Sequence, residues 1–120
     1  MLQHRYRFHG YGGLRYLYRH AQVERSRLVV MKYVANHRRR SSRIAIVVSK
    51  KVHKSAVGRN RIRRRLYEIM RQELPHITEV YDIALIVTSS DVMTISHDEL
   101  VAAVRTLLTK ASLYDVNMVQ

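Results

Sequence analysis

The chain has 120 residues, no cysteine and 47% apolar residues, with no apolar run near the roughly 20 residues a bilayer span needs. That is one domain of ordinary size; a disulfide scaffold, a thiolate zinc site and a cysteine nucleophile are excluded. Lys and Arg number 22 against 9 Asp and Glu, a net charge of +13 divided into +18 over residues 1–65 and −5 over residues 66–120. Arginine outnumbers lysine 17 to 5. Its planar fork grips phosphate bidentately and stacks on bases, which suits nucleic acid better than a diffuse membrane surface.

Residues 1–13 read as irregular because Gly10, Gly12 and Gly13 oppose a helix. Tyr6, Phe8 and Tyr11 alternate there with Arg5, Arg7 and His9, and the apolar content is too low for a secretory signal. Leu14, Leu17 and Tyr18 recur at helical spacing and predict a short helix over 14–21. Leu28–Val34 is β-branched and apolar and predicts a strand, followed by the basic turn 36–42. Arg43–Ser49 is apolar on both faces and predicts a second strand, central in its sheet. A helix is expected after Gly58, ending before Pro75, with Ile62, Leu66, Ile69 and Met70 inward and Asn60, Arg63, Arg64, Tyr67 and Arg71 on the opposite side. Tyr81–Thr88 is the third strand. Ser96 and Glu99 form a capping box that opens a last helix, running to Leu113 or Tyr114, with Leu100, Val104, Leu107 and Leu108 as its stripe. The order α-β-β-α-β-α, with room for one extra short strand, predicts a small α+β sandwich of helices on a sheet. Residues 1–120 form one domain, with 1–13 and 115–120 as candidate flexible ends.

The basic segment Lys50–Arg71 holds Lys50, Lys51, Lys54, Arg59, Arg61, Arg63, Arg64, Arg65 and Arg71, offset by Glu68 alone. Like charges at i, i+4 repel by a few tenths of a kcal/mol. A phosphate backbone relieves that repulsion and adds the entropy of released counterions. A solvated face usually mixes both signs, and this one does not. The chain shows no heptad seam, no metal-ligand pairs and no helix-turn-helix, so RNA is favoured over duplex DNA. Tyr16, Tyr18, Tyr33 and Tyr67 lie among the arginines, each as fit for core packing as for stacking. The seven histidines are scattered without carboxylate partners at metal-site spacing. Composition alone therefore says RNA-binding module. A ribosomal or chaperone-like binder, a ribonuclease acting through histidines and a DNA binder remain as alternatives, in falling order.

Arg43–Leu66 reads RIAIVVSKKVHKSAVGRNRIRRRL and resembles the bacterial ribonuclease P protein component. The motif is an ordered set: a strand ending in Ser49-Lys50-Lys51, a short linker, then Arg59-Asn60-Arg61-Ile62-Arg63-Arg64. The match extends more loosely over residues 14–114. The resemblance implies an α/β sandwich related to a ribosomal-protein domain, with a left-handed β-α-β crossover over 43–88. It implies a subunit of an endoribonuclease that removes 5′ leaders from precursor tRNA in the cytoplasm, with catalysis in the RNA partner and no catalytic or metal-binding residue in this chain. It implies two partners, the ribonuclease P RNA and precursor tRNA, with no membrane and no obligate protein partner. The protein binds no cofactor firmly, and Mg²⁺ is expected for the holoenzyme reaction. Lys50, Lys51, Arg59, Asn60, Arg61, Arg64 and Arg65 are expected to meet the catalytic RNA. Leu14, Tyr18, Asn60, Arg63 and Tyr67 are expected to line a cleft for the single-stranded leader. Leu14 stands where the family carries an aromatic, and Tyr67 where a basic residue is common.

Overall fold

The computed structural model describes residues 12–36, 38–77 and 79–114. Three helices flank one four-stranded sheet: α1 (Gly12–His20), β1 (Gln22–Arg25), β2 (Val29–Ala35), β3 (Arg43–Val47), α2 (Ala56–Glu73), β4 (Tyr81–Val87) and α3 (His97–Lys110). The strand order is β1-β2-β4-β3. β1 and β4 each run antiparallel to β2, and β3 runs parallel to β4, so α2 carries the chain across between two adjacent parallel strands.

Side chains alternate across a strand, and the register sorts them into two faces. Val29, Met31 and Tyr33 of β2 stand opposite Val87, Leu85 and Ile83 of β4, and Ile44 and Ile46 of β3 stand opposite Ile83 and Leu85. These residues form one buried cluster with Ile62, Leu66, Ile69 and Met70 of α2 and Leu100, Val104, Leu107 and Leu108 of α3. Both predicted helical stripes are therefore core. The other face carries α1. Leu17 is fully buried there on Ala45 and Ala84, small residues that let the helix backbone come close.

Three expectations are corrected, and the room left for one extra short strand is filled. β3 lies at the sheet edge, not its centre; it is apolar on both sides because α2 covers one face and α1 the other. β1 supplies the extra strand; three of its four residues are polar and three are exposed, as suits a short, charged edge strand. α1 begins at Gly12 despite its two glycines. α2 begins at Ala56, before Gly58, because the Ser55 hydroxyl accepts from the Gly58 amide at 3.1 Å. Gly58 is buried in that first turn, and a Cβ there would collide with the His53 ring.

At α3, Ser96 accepts from the Glu99 amide at 3.2 Å, as one half of the capping box requires. The helix stops at Lys110, short of Leu113, because Ser112 takes φ 59°. That left-handed residue lets the Leu113 amide donate back to the Leu108 carbonyl. Leu113 then enters the core, and Tyr114 bridges to Ile77. The Tyr114 hydroxyl donates to the buried Glu73 carboxylate at 2.6 Å, and Arg105 Nε donates to the same oxygen at 2.8 Å. Of the ends expected to be flexible, 1–13 and 115–120, residues 1–11 and 115–120 lie outside the described residues.

Candidate nucleic-acid interface

The strand β3 and the turn after it deliver Lys50 and Lys51 to the surface just before α2, where both are exposed. His53 shapes the linker: its Nδ1 accepts from the Ser55 amide at 3.2 Å. Arg59 Nη1 reaches back from α2 and donates to the His53 and Lys54 carbonyls at 3.0 and 2.8 Å. The first turn of α2 has no acidic residue, whereas that of α3 has Asp98 and Glu99. The positive end of the α2 dipole is thus left without a side-chain counter-charge, and it adds to the attraction for phosphate.

The arginines of α2 divide into two kinds. Arg61 and Arg64 are exposed, as is Asn60. Arg63 is half-buried and donates to Asn60 Oδ1 one turn earlier. Arg65 is turned inward: its Nη1 donates to the Val92 carbonyl at 2.6 Å and its Nη2 to the Ile95 carbonyl at 2.7 Å. It ties α2 to the 3-10 turn Ser90–Met93 and so has a structural duty that the sequence did not reveal. Arg59 likewise holds the linker. Of the seven residues expected to meet the catalytic RNA, Lys50, Lys51, Asn60, Arg61 and Arg64 are the open ones.

The residues expected to line a leader cleft are more dispersed. Tyr18 is 44% exposed, with Lys32 Nζ 4.9 Å from its ring centroid. It is therefore a presented ring, fixed by a cation from β2. Lys32 went unremarked in the sequence, yet it is the one charge inside an otherwise apolar strand. Asn60 and Arg63 sit on α2, which packs on the sheet face opposite α1. Tyr67 is corrected: it is 8% exposed and belongs to the core, because a ring on the helix flank is long enough to fold back among its apolar neighbours. It offers no open stacking platform. The side chain of Leu14 lies outside the described residues.

Among the described residues, no group of three or more His, Asp or Glu side chains could hold a metal ion. The acids that the fold buries are already engaged. Asp82 accepts from Arg43 and Asn36, and Glu73 from Arg105 and Tyr114. Burial pushes the Glu73 carboxyl up, but hydrogen bonds from Arg105 and Tyr114 and the Arg105 charge outweigh it, so its pKa lies below the usual value. What this face offers is exposed cationic charge and the exposed Tyr18 ring.

The model of the family Ribonuclease P matches residues 2–112. The chain belongs to that family. A ribonuclease P protein component from a Synechococcus strain is 42% identical over 72 residues, which cover 60% of this chain and 53% of that protein. The match thus spans about half the length of that relative. The component from Roseiflexus castenholzii is 39% identical over 83 residues, 69% of this chain and 67% of that one. The Staphylococcus aureus RNase P protein structure superposes with a TM-score of 0.80 at 24% identity, covering 92% of this chain and 98% of that chain. The Thermotoga maritima RNase P protein gives 0.76 at 20% identity, covering 87% and 96%. Those two likenesses establish the α+β sandwich.

Proposed function

We propose that the chain is the protein subunit of ribonuclease P. In this reading it binds the catalytic RNA through Lys50, Lys51, Asn60, Arg61 and Arg64 and the single-stranded 5′ leader of precursor tRNA near Tyr18, and it promotes removal of the leader. The observation that carries the reading is the single-sign face at the start of α2, within a family whose members bear that name. Arg59, Arg63 and Arg65 would act by holding the linker, Asn60 and the 3-10 turn in place.

In this reading the two subunits divide the labour: the RNA partner carries the phosphodiester hydrolysis, and Mg²⁺ bound there would supply Lewis-acid stabilisation of developing charge. The protein supplies no nucleophile. It adds cationic charge where RNA strands converge, which lowers the Mg²⁺ needed to screen them. Tyr18 contacts a leader that the mature product lacks, so it favours precursor over product.

The test is precursor-tRNA cleavage by a bacterial ribonuclease P RNA at low Mg²⁺, with and without the protein, beside a protein-only control. Correct 5′ maturation that needs both components is expected. Tight RNA binding without stimulation of any such RNA would refute the reading and favour a ribosomal or chaperone-like binder. The variant Tyr18→Ala should weaken precursor binding and spare mature tRNA; equal losses would make Tyr18 a packing residue.

A further inference from the structure

The α1 face of the sheet carries three rows in register: Val30–Ile86–Val47, Lys32–Ala84–Ala45 and Val34–Asp82–Arg43. Leu17 occupies the middle row, and Tyr18 meets it at Lys32. The third row floors a separate cavity of about 360 Å³, lined by Tyr16, Ala35, Asn36, Arg38, Arg43 and Asp82. That volume lies within the range of small-ligand pockets. Residues two apart on a helix point to opposite sides, so Tyr16 and Tyr18 present their rings to different places.

The cavity is built from fixed parts. Asp82 is 1% exposed. Arg43 Nε and Nη2 donate to its two oxygens at 3.0 and 2.8 Å, and Asn36 Nδ2 donates at 2.9 Å. The floor is thereby neutralised yet polar. A buried ion pair of this kind contributes little net stability compared with apolar packing. Tyr16 forms a wall that is 53% exposed, and its ring rests on His20 with centroids 4.4 Å apart. The Asn36 side chain accepts from the Arg38 amide at 3.3 Å, and exposed Arg38 leads into exposed Arg39 and Arg40.

We propose that this cavity binds one unpaired nucleotide of a single-stranded RNA segment, with the base stacked on Tyr16 and the adjoining phosphate on Arg38. An aromatic platform beside a run of arginines is the pairing that single strands use. A base inside a duplex has no free face to offer the ring. The site is separate from the Tyr18 surface and rests only on the reading of the chain as an RNA binder.

Fluorescence anisotropy of the full chain tests it, with a labelled ten-nucleotide single strand and a hairpin of the same composition whose loop is a nucleotide-free linker, so that every base is paired. Tyr16→Ala should weaken the single strand about 5- to 150-fold, the factor one base–aromatic stack is worth, and leave the hairpin within twofold. Tyr16→Phe should keep single-strand affinity, and Arg38→Ala should lower it. A single strand carrying 5-iodouridine should crosslink to Tyr16. Wild-type binding by Tyr16→Ala, or equal loss for strand and hairpin, would overturn the proposal. If Tyr16→Ala binds normally while the wild-type protein still stimulates precursor cleavage, the pocket assignment fails and the ribonuclease P reading stands. If single-strand binding depends on Tyr16 but cleavage is never stimulated, the pocket stands and the subunit reading fails.

Discussion

The arginines of α2 should separate into binding and structural residues when tested one against another. Arg61 and Arg64 are exposed, whereas Arg65 spends its guanidinium on the Val92 and Ile95 carbonyls. Each phosphate contact contributes about 0.9 to the slope of log K against log salt on a B-form DNA duplex and about 0.7 on single strands, which bracket a folded RNA. Arg61→Ala with Arg64→Ala should thus flatten the slope for ribonuclease P RNA by about 1.4–1.8, with little change in Tm. Arg65→Ala should leave the slope nearly unchanged. It strips two carbonyls of a charged donor, at about 1.5–3 kcal/mol, or a Tm lower by roughly 6–12 °C for a domain of this size. The assays are filter binding from 50 to 200 mM salt and calorimetric melting. Equal slope losses in the two proteins, or a normal Tm with a flattened slope in Arg65→Ala, would refute the division.

Two further predictions concern the packing that holds the interface. Gly58→Ala should destabilise the protein by roughly 1–2 kcal/mol, because the new Cβ displaces the His53 ring and with it the acceptor of the Ser55 amide. In a His53→Ala background the same change should stabilise by up to about 1 kcal/mol, the helix preference for alanine; stabilisation in both backgrounds in denaturant titrations would contradict the contact. Glu73→Gln should cost about 1–2 kcal/mol at pH 7, a modest figure because Arg105 is 59% exposed and screened by water. The folded pKa of Glu73 lies below its unfolded value. Its contribution is therefore complete above the unfolded value and fades as pH falls through the folded one. The gap between wild type and variant should begin to narrow once the pH falls below the unfolded value of about 4.3, and a gap of constant size from pH 7 to pH 3 would argue against the ion pair.

Periodicity determined most of the architecture. The stripes Ile62–Leu66–Ile69–Met70 and Leu100–Val104–Leu107–Leu108 are core as read, since burying an apolar stripe is what makes an amphipathic helix stable. The charge division was equally plain, because the sign of a face does not depend on folding details. The motif around Arg59-Asn60-Arg61 carried the family. Tertiary structure decided what one dimension does not encode. Whether a strand that is apolar on both sides is central or an edge depends on what covers it, and β3 is covered by helices on both faces. Whether an arginine is free depends on which carbonyls lie within its reach, and those of Val92 and Ile95 are 27 and 30 residues from Arg65. Tyr16, Tyr18 and Tyr67 look alike in sequence. Two present their rings and one is core, because a half-polar side chain goes wherever its neighbours leave space, and only the packed sheet and helices define that space.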